Sequence, residues 1–213
     1  MKIRVFSSLL GSVLLMLVLA ACGGTTLSTG PSRGANQAAL PGIPTMTPGS
    51  DPMTNSLKGL SGKDFEVKFM QYMIVHHQSA IKMAQLVPTH TKRAELITLA
   101  QNIILAQKIE IGQMTTWLSQ WYNEKPVANP MSVPGMMSMM SEMNTLKHAK
   151  DAAFDKQFLA LMIVHHQQAI NMAKLVPGKT HRPELIQLSQ DIVRTQSAEI
   201  QQMQSWQKEW FKA

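Results

Sequence analysis

Residues 73–121 and 162–210 align without a gap at an offset of 89 and are identical at 28 of 49 positions. No other feature limits the fold as tightly. A chain that writes one unit twice builds two copies of one supersecondary element and packs them together. Each copy carries the segment Met-Ile-Val-His-His-Gln, at Met73 to Gln78 and at Met162 to Gln167.

The apolar residues inside each copy recur every three or four positions, the spacing of one helical face. Phe65, Phe69, Met73, His76, Ala80, Met83 and Val87 form the first such seam, and Pro88 with Thr89-His90-Thr91 stops it. Leu96, Leu99, Ile103, Gln107, Glu110, Met114, Trp117 and Trp121 form the second. The other copy repeats both, from Phe154 to Val176 and from Leu185 to Trp210. Pro183 fits only a first helical turn, so the last helix begins near Thr180 to Pro183. Two helices bury two apolar seams poorly and four bury them well. The predicted fold is therefore all-α, an antiparallel four-helix bundle made of two hairpins. Repeat 1 spans 64–122, a linker 123–150, and repeat 2 151–212, within a bundle over 61–213. Leucines, isoleucines and tryptophans on the seams are read as core. In the linker, a helix is expected from about Met136 to His148.

The N-terminus reads as an address. Lys2 and Arg4 precede a mostly apolar run from Val5 to Leu19, and Leu19-Ala20-Ala21-Cys22 has the form of a lipoprotein cleavage site. Cys22, the chain's only cysteine, would begin the mature protein and carry acyl chains that hold it to a membrane of the cell envelope, facing out of the cytoplasm. Residues 23–60, rich in Gly, Ser, Thr and Pro, read as a flexible tether. The mature chain then has neither disulfides nor thiolate ligands available. Removing Lys2 and Arg4 from the 20 Lys and Arg leaves 18 against 13 acidic residues, a net charge of +5. Those cations are scattered and not interleaved with aromatics, which argues against nucleic acid as a partner.

The informative residues are the polar ones on apolar seams: His76, Gln107 and Glu110, with His165, Gln196 and Glu199. A buried imidazole or carboxylate is costly unless it is paired, hydrogen-bonded or metal-bound. Adjacent histidines on a helix point about 100° apart, so one of His76 and His77 is expected in the core and the other at its edge, and likewise for His165 and His166. Met73, Met83, Met162 and Met172 flank the four histidines, and imidazole with thioether is a donor set suited to Cu(I). These eight residues are the candidate metal ligands. If the first hairpin turns near residue 90, Met73 stands level with Gln107, and Glu110 lies roughly 9 Å along the axis from His76. A direct His76–Glu110 contact is then not expected, and Glu110, Met114, Glu199 and Met203 rank second. With them rank Met136, Met137, Met139 and Met140, from a linker that holds six methionines in 13 residues.

The pattern Phe…Met-Ile-x-His-His-x-x-Ala-Ile-x-Met-Ala, followed by Leu-x-x-Leu-(Ala/Ser)-Gln-x-Ile…Gln-x-x-Glu-Ile-x-x-Met-x-x-Trp, resembles DUF305, a ferritin-like group of bacterial proteins, over about 64–121 and 151–211. The resemblance implies a four-helix bundle, and exported members of the family include copper-binding proteins. On the matching positions it points to His76, His77, Met83, Glu110 and Met114, and to His165, His166, Met172, Glu199 and Met203. A di-iron centre needs a Glu-x-x-His on each of two helices, and neither repeat has one. No Ser/His/Asp or Cys/His set and no phosphate-cradling glycine loop marks an enzyme. Two functions remain in view: an envelope lipoprotein that binds copper for sequestration or tolerance, and a structural or protein-interaction bundle whose buried His and Glu satisfy one another.

Overall fold

The structure is a computed structural model and describes residues 51–211. The expected signal segment, Cys22 and most of the tether lie outside the described residues. Seven α-helices run in order: α1 (Pro52–Lys58), α2 (Gly62–Ala84), α3 (Val87–His90), α4 (Ala94–Tyr122), α5 (Met136–His148), α6 (Asp151–Ala173) and α7 (Pro183–Trp210). Short 3₁₀ turns occupy Pro130–Ser132 and Val176–Gly178. Among the described residues there is no strand, and no helix is long and apolar enough to cross a membrane.

The long helices pair as predicted. α2 packs along α4, α6 packs along α7, and the two hairpins meet chiefly through α2 and α6. The linker helix runs over Met136–His148 as the sequence suggests, and α7 starts at Pro183, in its first turn. Three details differ. The stretch expected as a tether over 23–60 is helical in part, because residues 52–58 form α1, capped by the Asp51 carboxylate on the Thr54 amide at 3.1 Å. Its Met53 and Leu57 are buried, which supplies the apolar contact that a tether lacks. Helix α2 ends at Ala84, before Pro88, which sits instead in the first turn of α3. The tryptophans of α4 and α7 are half-buried rather than core. Trp117 stacks on Trp121 at 5.1 Å and Trp206 on Trp210 at 5.0 Å, and both pairs cover the ends of the bundle.

Apolar packing forms two clusters that reveal how the hairpins are arranged. One joins the open end of the first hairpin (Phe65, Phe69, Met114, Leu118) to the closed end of the second (Met172, Val176, Leu185, Leu188). The other joins the closed end of the first (Met83, Val87, Leu96, Leu99) to the open end of the second (Phe154, Phe158, Met203). The hairpins therefore lie head to tail, and the 89-residue offset relates their contacts by an approximate two-fold axis.

Each open end is clasped to the opposite hairpin. Arg182, at the start of α7, donates to the Glu66 carboxylate of α2 at 2.9 Å and lies over Trp121 at 4.2 Å. Its counterpart Arg93 donates to Asp155 at 3.0 Å and lies over Trp210 at 4.2 Å.

Candidate metal centre

Between the two apolar clusters lie all four histidines of the repeated motif. His76, His77 and His166 are fully buried and His165 is 4% exposed. The expectation that one of each pair would sit at the edge does not hold. Helices α2 and α6 are the inner pair, covered by their hairpin mates on one side and by each other on the next, so two adjacent faces are buried. The His76 and His165 rings, which the two-fold relation carries onto each other, face one another with centroids 3.7 Å apart.

The outer histidines are paired within their own hairpins. His77 Nε2 lies 2.6 Å from Glu110 Oε2, and His166 Nε2 lies 2.7 Å from Glu199 Oε2. The hairpin register that kept Glu110 away from the histidines is therefore corrected. Level positions sum to about 187 rather than 180, because α3 carries the chain one turn beyond α2 before α4 returns. His76 and Glu110 still form no hydrogen bond; the partner of Glu110 is the neighbouring histidine. Glu110→Ala is expected to destabilise the protein by about 1–3 kcal/mol, because it leaves a buried imidazole without its partner. Glu110→Gln, which keeps an oxygen there, should cost less. Urea denaturation of the two variants checks the order, and equal losses would mean that the contact contributes nothing specific.

The inner histidines have fewer partners. His165 Nε2 lies 2.6 Å from Ser79 Oγ, and Ser79 Oγ donates to the His76 carbonyl at 3.0 Å. Giving the single hydroxyl proton to that carbonyl assigns the Nε2–H tautomer to His165 and leaves its lone pair on Nδ1. Nδ1 of His165, of His77 and of His166 are buried without a hydrogen-bond partner, and the His76 nitrogens make no hydrogen bond of good geometry, although the Gln168 side chain and the His165 backbone stand close enough to offset part of the lowering of its pKa. Gln107 and Gln196, one turn before the glutamates on α4 and α7, each leave a buried Oε1 without a hydrogen-bond partner. Such groups cost about 1–3 kcal/mol apiece and call for an explanation. Burial, reinforced by the charge of neighbouring histidines, holds the pKa of His76 and of His165 well below the ordinary imidazole value. Both are neutral at pH 7 and have nitrogen lone pairs available.

The methionines divide by position. Met73, Met114 and Met172 belong to the first apolar cluster, and Met162 and Met203 to the second. Met136 is buried in the first cluster, whereas Met137 and Met140 are exposed. Met83 is different. With Met139, Met143, Glu142, Ser79 and His165 it lines a small cavity of about 10 Å³, roofed by α5. Met139 Sδ is 3.6 Å from Ser79 Oγ, and burial raises the pKa of Glu142. A space of that size takes about one water-sized sphere. The candidate ligands are thus not one cluster: Met83, Met139 and His165 come together, while the rest pack as core, pair with glutamate or face solvent. Met143 is not among the candidates named from the sequence; its i, i+4 spacing from Met139 is the signal that marks it. Among the described residues, no three His, Cys, Asp or Glu side chains converge as a metal-ligand set. A larger cleft of about 520 Å³ beside Lys68, Tyr72 and Lys125 contains none of the candidate ligands.

The family described as a domain of unknown function, DUF305, matches residues 24–85 and 66–207, and this chain belongs to it. Among solved structures, silver-bound CopM is 38% identical with a TM-score of 0.60, over 68% of this chain and 96% of that one. CopM with Cu(I) bound is 37% identical with a TM-score of 0.58, over 68% and 97% of the two chains. A DUF305 protein from Streptomyces coelicolor, described as secreted, is 28% identical with a TM-score of 0.59, over 68% and 92%. A curated relative, the uncharacterized protein L153 of Acanthamoeba polyphaga mimivirus, is 45% identical over 51 residues, 24% of this chain. That match spans 34% of the relative's length.

Proposed function

We propose that this DUF305 protein is an exported, lipid-anchored binder of a soft metal ion, copper(I) foremost, which it sequesters in the cell envelope. The observation that carries the reading is the α5-roofed cavity. There a buried neutral imidazole, whose Nδ1 has no hydrogen-bond partner, lines a cation-sized space together with three thioethers, Met83, Met139 and Met143. Thioethers need no deprotonation, and with imidazole they select soft ions such as Cu(I) and Ag(I) over Zn(II) or Mg(II). Ser79 fixes the tautomer by accepting the Nε2 proton, the part that an orienting hydrogen bond plays beside many histidine ligands. Similarity to CopM, solved with silver and with copper bound, supports the same reading. Export and anchoring rest on the N-terminal sequence and on the family resemblance to a secreted protein. The role proposed is binding, since the cavity residues supply imidazole and thioether donors.

A structural bundle is the competing reading, and the His77–Glu110 and His166–Glu199 pairs favour it, because they satisfy each other without metal. Titration with Cu(I) and Ag(I) against a chromophoric chelator separates the two. The protein is expected to take up close to one equivalent. Replacing one or two of the few ligands, as in His165→Ala or Met83→Leu/Met143→Leu, should weaken binding on the order of 100-fold, about 2.7 kcal/mol. Circular dichroism would verify that the variants are folded. Folded variants that bind as tightly as the original chain, or an original chain that binds nothing, would leave the structural reading in possession.

A further inference from the structure

The two halves of the molecule are not equivalent around the histidines. Helix α1 precedes α2 as α5 precedes α6, and each of these short helices covers both α2 and α6. Leu57 of α1 corresponds to Leu146 of α5 at the 89-residue offset, and both are fully buried. Their outward faces differ sharply. The exposed positions of α1 are Pro52, Asn55, Ser56 and Lys58, an ordinary solvated surface. Helix α5 instead exposes Met137 to 75% and Met140 to 42%, while Met143 is 7% exposed. Exposed thioethers add nothing to the core, and they occur on the one short helix that roofs the cavity.

The order of these side chains around α5 is also informative. At about 100° per residue, Met137 and Met140 are about 60° apart, Met140 and Met143 about 60°, and Met143 and Met139 about 40°. Each step is an i, i+3 or i, i+4 relation, for which Cβ atoms stand about 5–6 Å apart. Neighbouring positions lead from the exposed Met137 and Met140 to the buried Met143 and the half-buried Met139, the two that line the cavity.

Resting on the metal-binding reading above, we infer that α5 is an entry ladder, on which a soft monovalent cation is captured by the exposed Met137/Met140 pair. The ion then passes by thioether exchange through Met143 to Met139, Met83 and His165. No electron or proton moves in these steps; one neutral sulfur donor replaces another on the ion. The exposed pair binds weakly and briefly, and its effect is to raise the ion's local concentration at the roof of the cavity.

Transfer of Cu(I) to the full chain from a chromophoric Cu(I)–chelator complex, followed in time by chelator absorbance, tests the ladder. Met137→Leu/Met140→Leu should slow transfer about tenfold, the loss of a local-concentration effect, and leave the end point unchanged. Met131→Leu, an exposed methionine outside α5, should transfer at the original rate. A double variant that loads as fast as the original chain overturns the ladder and leaves the cavity site standing. A double variant whose end point falls along with its rate also overturns it, because the pair would then be part of the final site. An original chain that draws no Cu(I) from the complex removes the metal-binding reading, and the ladder with it.

Discussion

Metal-free protein is expected to lose stability as the pH falls below about 6.5, at up to about 2.7 kcal/mol per pH unit. The loss comes from His76 and His165. Burial lowers the pKa of both in the folded state, with the charge of neighbouring histidines adding to it. In the unfolded chain the same groups titrate near 6.5. Above that value neither state binds the protons, and the stability is fully present. Below it the unfolded chain takes up two protons that the native core excludes, each contributing about 1.4 kcal/mol per pH unit. Urea midpoints measured between pH 7.5 and 5.5 read this directly. His76→Phe/His165→Phe should flatten the dependence while leaving the His77–Glu110 and His166–Glu199 pairs as they are, so the difference between the two proteins isolates the inner pair. A midpoint in the original chain that does not move over this range would mean that the inner histidines reach solvent. Because the native core excludes these protons, they compete with metal for the imidazole lone pairs only well below that window, and affinity for Cu(I) should hold between pH 7.5 and 5.5 in protein that stays folded.

Glu66→Ala is expected to cost about 2–4 kcal/mol, whereas Asp155→Ala, at the equivalent position of the other repeat, should cost about 1 kcal/mol. Glu66 is 7% exposed and accepts hydrogen bonds from Thr180, Tyr122 and Arg182. It thereby ties the start of α2 to the end of α4 and to the opposite hairpin. Asp155 is one methylene shorter. It accepts from Arg93, its Oδ1 has no partner, and Phe211 stands where the other clasp has the Tyr122 hydroxyl. Both arginines are over a third exposed, which lowers the worth of the ion pairs below that of fully buried ones. Thermal or urea unfolding of the two variants measures the asymmetry. Equal losses would show that the three-fold satisfaction of Glu66 has no energetic consequence.

Sequence and structure agree wherever a feature is local. The periodic seams from Phe65 to Trp121 and from Phe154 to Trp210 identify four long helices, because helical spacing gathers these residues on one face whatever lies opposite. The helix over Met136–His148 and the start of α7 at Pro183 are local in the same way. The tryptophans show the limit of that reasoning. They keep the period of the seam but lie at helix ends, where the bundle no longer surrounds them. Seven residues are too few for α1 to display a period, and its burial comes chiefly from α2 and α6.

The candidate site was legible as a set of residue types and not as an arrangement. His76, His77, His165, His166 and their flanking methionines could be named from the repeat, since polar groups on an apolar seam need a reason to be there. Their partners could not. The pairing of His77 with Glu110 depends on one extra helical turn at α3, and the contact of His165 with Ser79 depends on the opposite hairpin.

The duplicated Met-Ile-Val-His-His-Gln segment by itself determined the family, the two-hairpin architecture and the presence of four histidines within an apolar seam. Only the tertiary structure decided that the hairpins lie head to tail, that His76 meets His165 on the two-fold relation, and that α5 brings Met139 and Met143 beside Met83. The physical reason is that periodicity states which residues share a face, whereas register across a helix interface follows from the fit of side chains distant in sequence. In this chain the proposed metal-ligand set depends on that fit.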